Sequence, residues 1–311
     1  QRAGQVWLWS RGEELVTDRF PELASAALQS LPDGTVIAGE ILVWLPGEPA
    51  PRPFADLQKR LGRKTLTPKL LRELPVVLVA YDLLEHAGQD VREQPQHARR
   101  AHLEALLQLP STTSGEAPAG ALRLSPLLQG ADWQDLARQR EAARSLGTEG
   151  FMLKHRDAHY GVGRTKDVGV WWKWKIDPMS VDAVLIYAQR GHGRRASLYT
   201  DYTFAVWNGP PEDPNRQLVP FAKAYSGLTD AEIAQVDAII RKTTRESFGP
   251  VRSVEATQVF ELGFEGIAKS PRHKSGIAVR FPRMLRWRQD KPVAEADTLQ
   301  TLAALLPESS A

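Results

Sequence analysis

Cysteine is absent from all 311 residues, which excludes disulfides, thiolate metal sites and thiol nucleophiles. There is no run of about 18 apolar residues, the length a helix needs to cross a bilayer. No signal-peptide pattern opens the chain, and no internal repeat is visible. The seven histidines show no ligand spacing, so His155, His192 and His273 read as surface or backbone-contacting residues. Net charge is only +3, too small to mark the whole chain as a polyanion binder. These absences lead to the expectation of a cytoplasmic protein without a membrane partner.

What is present is the composition of a globular protein, 42% hydrophobic and 25% charged, long enough for two domains with cores of their own. Charge is concentrated rather than abundant. From Arg272 to Lys291 there are seven Lys/Arg against one acid, Asp290. That local excess points to a polyanion.

The stretch "VWWKWKIDP" (170–178) is the most informative. Read as a strand, it places Lys173 and Lys175 on one face and Trp172, Trp174 and Ile176 on the other. Two ammonium groups about 7 Å apart on one face repel each other, which is reasonable where an anion lies between them. Edge-strand lysines that block further pairing are the plain alternative.

Before this stretch the pattern mixes strands and helices. "GQVWLWSRG" reads as a strand and "TVIAGEILVW" as a buried strand carrying Glu40. "LPVVLVAYDLLEHAG" reads as an apolar strand containing Tyr81. Helices are expected at "FADLQKRLG", "QPQHARRAHLEALLQL" and "DWQDLARQREAARSLG", the last capped by Asp132. "EGFMLK" and "WWKWK" are strands flanking a loop that contains "YGVGRTKD" (160–167). Beyond Asp177-Pro178 short alternating strands joined by Gly/Pro turns take over. One helix interrupts them, "TDAEIAQVDAIIRKTTRESF", opened by a Thr229/Glu232 capping box. The fold class expected is α+β: an antiparallel-sheet domain over 1–176, a small Greek-key barrel over 177–291, and a tail or helix over 292–311. "RGHGRR" (190–195) reads as a basic hairpin able to touch a duplex backbone.

Glu40 and Glu149 are expected in apolar strands, where a carboxylate is costly unless paired or metal-bound. Structural salt bridges would explain each alone. Together with strand-borne lysines and Tyr81 they describe a nucleotide pocket.

In order along the chain, "SRGEELVT", "IAGEILVW", "VAYDLLEHAGQDVRE", "EGFMLK", "WWKWK" and "RFPRMLRWRQDK" resemble the serial motifs of ATP-dependent DNA ligases, members of the covalent nucleotidyltransferase superfamily. The resemblance runs from about Ser10 to Lys291. It implies an antiparallel nucleotidyltransferase (adenylation) domain followed by an oligonucleotide-binding (OB-fold) β-barrel. By the same resemblance Tyr81 stacks on adenine, Glu40 and Glu149 handle ribose and Mg²⁺, and Lys173 and Lys175 hold the α-phosphate. Lys154 supports that site, although strict alternation puts it on the face opposite Glu149. Arg11 resembles the group that holds a nick's 5′-phosphate. Arg280, Arg283, Arg288 and Lys291 resemble those that orient the ATP β,γ-phosphates, with Arg283 and Arg288 also placed toward nucleic acid. The implied activity is sealing of nicked duplex DNA with ATP and Mg²⁺, by a monomer. RNA ligase or capping-type guanylyltransferase activity and a non-catalytic nucleic-acid-binding fragment are the alternatives. The family's Lys-x-Asp-Gly nucleophile motif does not occur in this sequence. The expectation is that it precedes Gln1, with an N-terminal DNA-binding domain left open.

Overall fold

A computed structural model describes residues 1–63, 65–108, 120–161, 170–193 and 196–306. Gly163, Arg164 and Lys166 of the expected glycine loop, Arg194 and Arg195 of the expected basic hairpin, and the closing "PESSA" lie outside the described residues. The chain divides into two compact units, Gln1–Ile176 and Asp177–Ala311.

The first unit does not open with the strand read from "GQVWLWSRG". Ser10 and Glu13 close a tight turn, with Glu13 at φ 61°. Only an isolated bridge joins Trp9 to Leu15. A residue in the left-handed region interrupts the extended backbone and limits pairing to that bridge. Helix α1 (Pro21–Ser30) and strand β1 (Val36–Val43) follow, then helices α2 (Phe54–Leu61) and α3 (Pro68–Glu73). Strand β2 (Val76–His86) turns at Ala87-Gly88 into β3 (Gln89–Asp90). Helix α4 (Gln96–Gln108), strand β4 (Leu122–Leu124), helix α5 (Trp133–Glu141) and the hairpin β5 (Gly150–Lys154) with β6 (Trp171–Lys175) complete the unit.

Strand β2 is central. Strand β1 pairs antiparallel along nearly all of it, while β4 (parallel) and β3 (antiparallel) pair with different parts of β2. Phe20, Leu23, Val43, Leu57 and Val76 form one buried cluster, and Ala80, Leu83, Val91, Leu103 and Leu106 another.

Arg60 joins three helical segments. Its side chain is fully buried. It donates to the Arg19 carbonyl (2.9 and 3.1 Å), to the Leu74 carbonyl (3.0 Å) and to Glu22 Oε2 (2.6 Å). Its guanidinium also lies 5.2 Å from the Phe20 ring centroid. A buried guanidinium is tolerable only when its donors are satisfied in this way.

The second unit comprises β7 (Met179–Arg190), β8 (Tyr199–Trp207), β9 (Leu218–Ala224), helix α6 (Asp230–Thr243), β10 (Thr244–Phe248), β11 (Val251–Val254), β12 (Val259–Phe264), the hairpin β13 (Gly266–Lys269) with β14 (Ile277–Arg280), β15 (Arg283–Trp287) and helix α7 (Leu299–Ala303). Strand order along the main sheet is β10-β11-β7-β12-β15, with β8 on β7 and β9 on β8, all antiparallel. The class is therefore α+β with antiparallel sheets. Among the described residues the hydrogen-bonded path does not close into a complete barrel. The core holds Tyr202, Phe204, Phe260, Phe264, Leu262 and Ile240. The Thr229/Glu232 capping box is formed, but the helix is shorter than its sequence pattern. "TRESF" pairs as strand β10 with β11 instead, where tertiary pairing overrides local propensity.

Replacing Arg60 by alanine strands Glu22 and the Arg19 and Leu74 carbonyls. The expected loss is about 3–5 kcal/mol of unfolding free energy, the range for breaking a buried pair. Urea denaturation, followed by tryptophan fluorescence, measures it.

Candidate active site

Two departures from regular strand geometry build the site in the first unit. The first is at Tyr81. Ala38 pairs with Asp82 and Gly39 with Ala80, so Tyr81 is the extra residue of a β-bulge. A bulge re-aims the side chain it carries. Gly39 is required opposite it, because a Cβ there would lie 2.7 Å from the Val79 carbonyl oxygen. The Tyr81 hydroxyl is pushed up to about 12, chiefly by burial and then by Tyr160, Glu40 and Asp82, with Arg11 opposing. The charges of Glu40 and Arg11 therefore reach the Tyr81 ring.

The second departure is at Gly150. Its φ is +127°, and a Cβ there would meet the Trp174 carbonyl oxygen at 2.3 Å. Pairing of β5 with β6 sets Gly150 opposite Lys175, Met152 opposite Lys173, and Lys154 opposite Trp171. Directly paired residues share a face, so Lys154, Trp171, Lys173 and Lys175 lie together. Strict alternation would send Glu149 to the other side. The Gly150 backbone breaks that alternation, and the Glu149 carboxylate comes within 3.6 Å of Lys175 Nζ. The conflict between Glu149 and Lys154 that the sequence poses is thereby removed.

Lys154 is the best-defined cation of this face. Its Nζ lies 4.8 Å from the Tyr81 ring centroid and 4.2 Å from that of Trp171. It donates to the Tyr81 carbonyl at 3.1 Å and sits 3.9 Å from Asp82 Oδ2. Burial lowers it to about 8; Asp82 resists that shift, and Arg99 and Arg100 add to it. Asp82 itself is fully buried and accepts two bonds from Arg99, at 2.8 and 3.1 Å. Arg99 spends its other donors on the Gln94 and Ala158 carbonyls. Tyr160 and Tyr81 each set a ring edge-on to Trp171, at 5.5 and 6.3 Å.

Several expected features are corrected here. Glu40 is exposed rather than buried, because the β1 strand carrying it is only partly covered. Glu149 precedes its strand, and its side chain is 45% exposed. Trp172 is exposed, and the tryptophan that packs on that face is Trp174 alone, against Trp133, Phe151 and the Arg140 guanidinium. Aromatic packing also occupies the lysine face, through Trp171. Sequence reasoning does not single out Asp82, Arg99, Trp171 or Tyr160. An aspartate inside the apolar run "VVLVAYDLL" is the available signal, since such a residue demands a partner.

The other residues belong to the second unit. Arg288 donates to Asp182 (2.8 Å) and to Asp290 (2.9–3.3 Å), and Lys291 donates to Asp182 (2.7 Å). The Arg288 contact holds Asp290 down at about 2. Arg283 pairs with Glu265 at 3.4 Å. The Arg280 guanidinium lies 4.8 Å from the ring centroid of Phe281, which holds φ 52°. Arg288 and Lys291 also line a shallow groove with Gln235, Ile239, Gln258 and Trp287. Arg11 is exposed at the Ser10–Glu14 turn. Among the described residues no three His, Asp or Glu converge as a metal cluster.

Residues 1–175 match a family model described as "ATP dependent DNA ligase domain", and residues 195–291 one described as "ATP dependent DNA ligase C terminal region". A "Probable DNA ligase" of Koribacter versatilis (strain Ellin345) is 38% identical over 310 residues, covering 95% of this chain and 52% of the relative. A "DNA ligase" of Haloferax volcanii is 33% identical over 303 residues, covering 97% and 49%. The chain thus spans about half the length of these curated relatives. A solved structure described as "Structure-function analysis of Lig E DNA ligases" superposes with TM-score 0.56 at 18% identity, covering 91% of this chain and 86% of that one. This likeness bears on the fold alone.

Lys154 loses its proton near pH 8 in the folded chain but near 10.5 when unfolded. Between those values the unfolded chain binds more protons, so stability rises with pH across that window. Denaturant midpoints measured from pH 7 to 10.5 are expected to show this rise in wild type and to lose it in Lys154→Met. Gly150→Ala is expected to cost about 1–3 kcal/mol in the same measurement through backbone strain.

Proposed function

Because the chain belongs to the ATP-dependent DNA ligase family, we propose that it takes part in sealing nicks in duplex DNA, with ATP as the source of an activating AMP. The observation that carries this reading is the single face on which Lys154, Trp171, Lys173 and Lys175 stand together, with Glu149 turned onto it and Tyr81 beside it. Tyr81 offers its ring to the base. Glu40 and Glu149 accept from ribose hydroxyls. Lys173 and Lys175 meet the α-phosphate, where fixed cations offset the charge that develops on phosphoryl transfer. Arg11 takes the nick's 5′-phosphate, and Arg280, Arg283, Arg288 and Lys291 serve the outer phosphates of ATP.

Magnesium fits as an ion shared with substrate. It is ordinarily held by one or two carboxylates together with phosphates, and Glu40 and Glu149 are the carboxylates available. When bound it neutralises phosphate charge.

Three displacements make up the reaction. An amine attacks the α-phosphorus and pyrophosphate departs with the bond pair. A 5′-phosphate oxygen of the nick then displaces that amine, forming a DNA-adenylate. Finally the 3′-hydroxyl attacks the 5′-phosphorus, AMP leaves, and the hydroxyl proton goes to solvent or a base. The family's attacking lysine is not among these residues. The last displacement needs no such lysine, only the fixed cations and the positions of the two strand ends.

That separates the test from the nucleophile. The 311-residue chain, without ATP, is expected to seal a nick carrying a preformed 5′-adenylate and to release AMP. Lys173→Ala is expected to slow this about 10²–10³-fold, as for loss of one charge-stabilising donor. Tyr81→Ala is expected to weaken ATP binding about 5–150-fold, the equivalent of one lost stacking contact. Failure to seal, with equal binding of adenylated and plain nicks, would remove the assignment. Sealing of RNA in preference to DNA would change its substrate.

A further inference from the structure

The ladder between β1 and β2 skips Tyr81: Ala38 faces Asp82 and Gly39 faces Ala80. On the other side, the pairing of β2 with β4 ends at Ala80, opposite Leu124. Among the described residues Tyr81 therefore has no counterpart on either neighbouring strand, although its ring is the one offered to the base. A bulged residue re-aims its side chain but gives up the ladder that would fix it.

Lys154, from β5, supplies another hold. Its Nζ donates to the carbonyl of Tyr81 at 3.1 Å and lies 4.8 Å from the centroid of the Tyr81 ring. One ammonium thus engages both the backbone and the side chain of the same residue. The ammonium is held in turn by Trp171, paired with Lys154 across the hairpin, whose ring centroid is 4.2 Å away. Asp82 Oδ2 stands at 3.9 Å. The three lysines of this face differ in what they are free to do. Lys173 is exposed and the Lys175 side chain is 40% exposed, so both can meet a phosphate. The Lys154 side chain is 14% exposed and is turned into the rings.

A cation over one face of a ring is attracted by its quadrupole and leaves the other face for stacking. A ring fixed before the base arrives loses less freedom on binding. We infer that Lys154 is a positioning residue, which sets the ring of Tyr81 for the nucleobase without itself meeting the nucleotide. The inference rests on the nucleotide reading proposed above for what the ring receives. The charged groups facing the ammonium are Asp82 on β2 and Arg99 and Arg100 on α4, and burial lowers Lys154 to about 8. The nearby Tyr81 and Tyr160 hydroxyls are shifted upward by burial, away from that range. Below about pH 8 the ammonium holds the ring; above it a neutral amine keeps the carbonyl bond and loses the attraction to the ring.

The test is ATP binding to the 311-residue chain, measured by isothermal titration calorimetry from about pH 7 to 9.5. Lys154→Met is expected to weaken binding about 2–30-fold at neutral pH, the worth of one cation–π contact. It is expected to cost nothing further when Tyr81→Ala is already present. Wild type is expected to lose affinity as pH rises through about 8. Lys154→Arg keeps a cation that does not titrate. It is expected to bind more tightly than Lys154→Met and to show no such loss. If the two single effects add in the double variant, Lys154 meets the nucleotide directly and the inference falls. Unchanged affinity in Lys154→Met overturns it too, as does a pH-dependent loss that persists in both lysine variants. In each of those cases, wild-type binding and its weakening by Tyr81→Ala leave the nucleotide reading standing. A wild-type chain that binds no ATP overturns that reading and this inference together, as does a Tyr81→Ala variant that binds as well as wild type. Matching circular dichroism and thermal midpoints identify folded variants, and the wild-type pH profile tests the inference without any substitution.

Discussion

The arrangement of the first unit depends on one buried carboxylate. Asp82 is fully buried and takes both oxygens to Arg99, whose remaining donors reach the Gln94 and Ala158 carbonyls. Three stretches of chain, on β2, at the start of α4 and beyond β5, are thereby fixed to one another. The same carboxylate is 3.9 Å from Lys154. One negative charge thus faces two cations in a poorly solvated place, and a proton is the easiest charge to remove. Arginine does not give one up. Lysine does, and burial, helped by the Arg99 charge and resisted by Asp82, lowers Lys154 to about 8. The Lys154 ammonium that faces Asp82 also lies over the rings of Tyr81 and Trp171.

Residue types at the site are legible in the sequence, but their directions are not. Glu40, Tyr81, Glu149, Lys154, Lys173 and Lys175 can be picked out as a set, and the strand alternation of "WWKWK" correctly joins Lys173 to Lys175. Alternation fails at two points, the bulge at Tyr81 and the positive φ of Gly150. The first gives up regular pairing and the second regular backbone dihedrals, and each re-aims a side chain. A period-two reading cannot foresee such a break, although the glycine following Glu149 is its trace. Exposure of Glu40 is hidden for a related reason. The apolar neighbours in "TVIAGEILVW" report on the strand's covered face, and Glu40 belongs to the other.

Charge counting has a similar limit. The basic run ending at Lys291 is visible at once, but its partners lie far away in sequence. Asp182 is 106 residues from Arg288 and 109 from Lys291, yet it takes hydrogen bonds from both. The sum over a segment therefore overstates the charge offered to a ligand. What remains after pairing, among the described residues, is smaller and more localised.

The ion pairs of this chain differ in how readily a phosphate can replace one member. Arg60 with Glu22 and Arg99 with Asp82 are buried, and removing either partner leaves an uncompensated charge in the interior. Their place is in the frame. Glu149 and Lys175 are 45% and 40% exposed, and a pair so well solvated contributes little to stability. An incoming phosphate can take Lys175 from Glu149 at small cost, since water recovers the carboxylate. Arg288 and Lys291, with side chains 18% and 20% exposed, stand between these limits. Withdrawing them from Asp182 would strand a carboxylate that is itself only 11% exposed. Breaking a pair to Asp182 at this end of the second unit would therefore cost more than breaking the Glu149 pair at β6. The same residue type, lysine beside a carboxylate, is thus suited to different work in the two units, and the solvent exposure of its partner decides which.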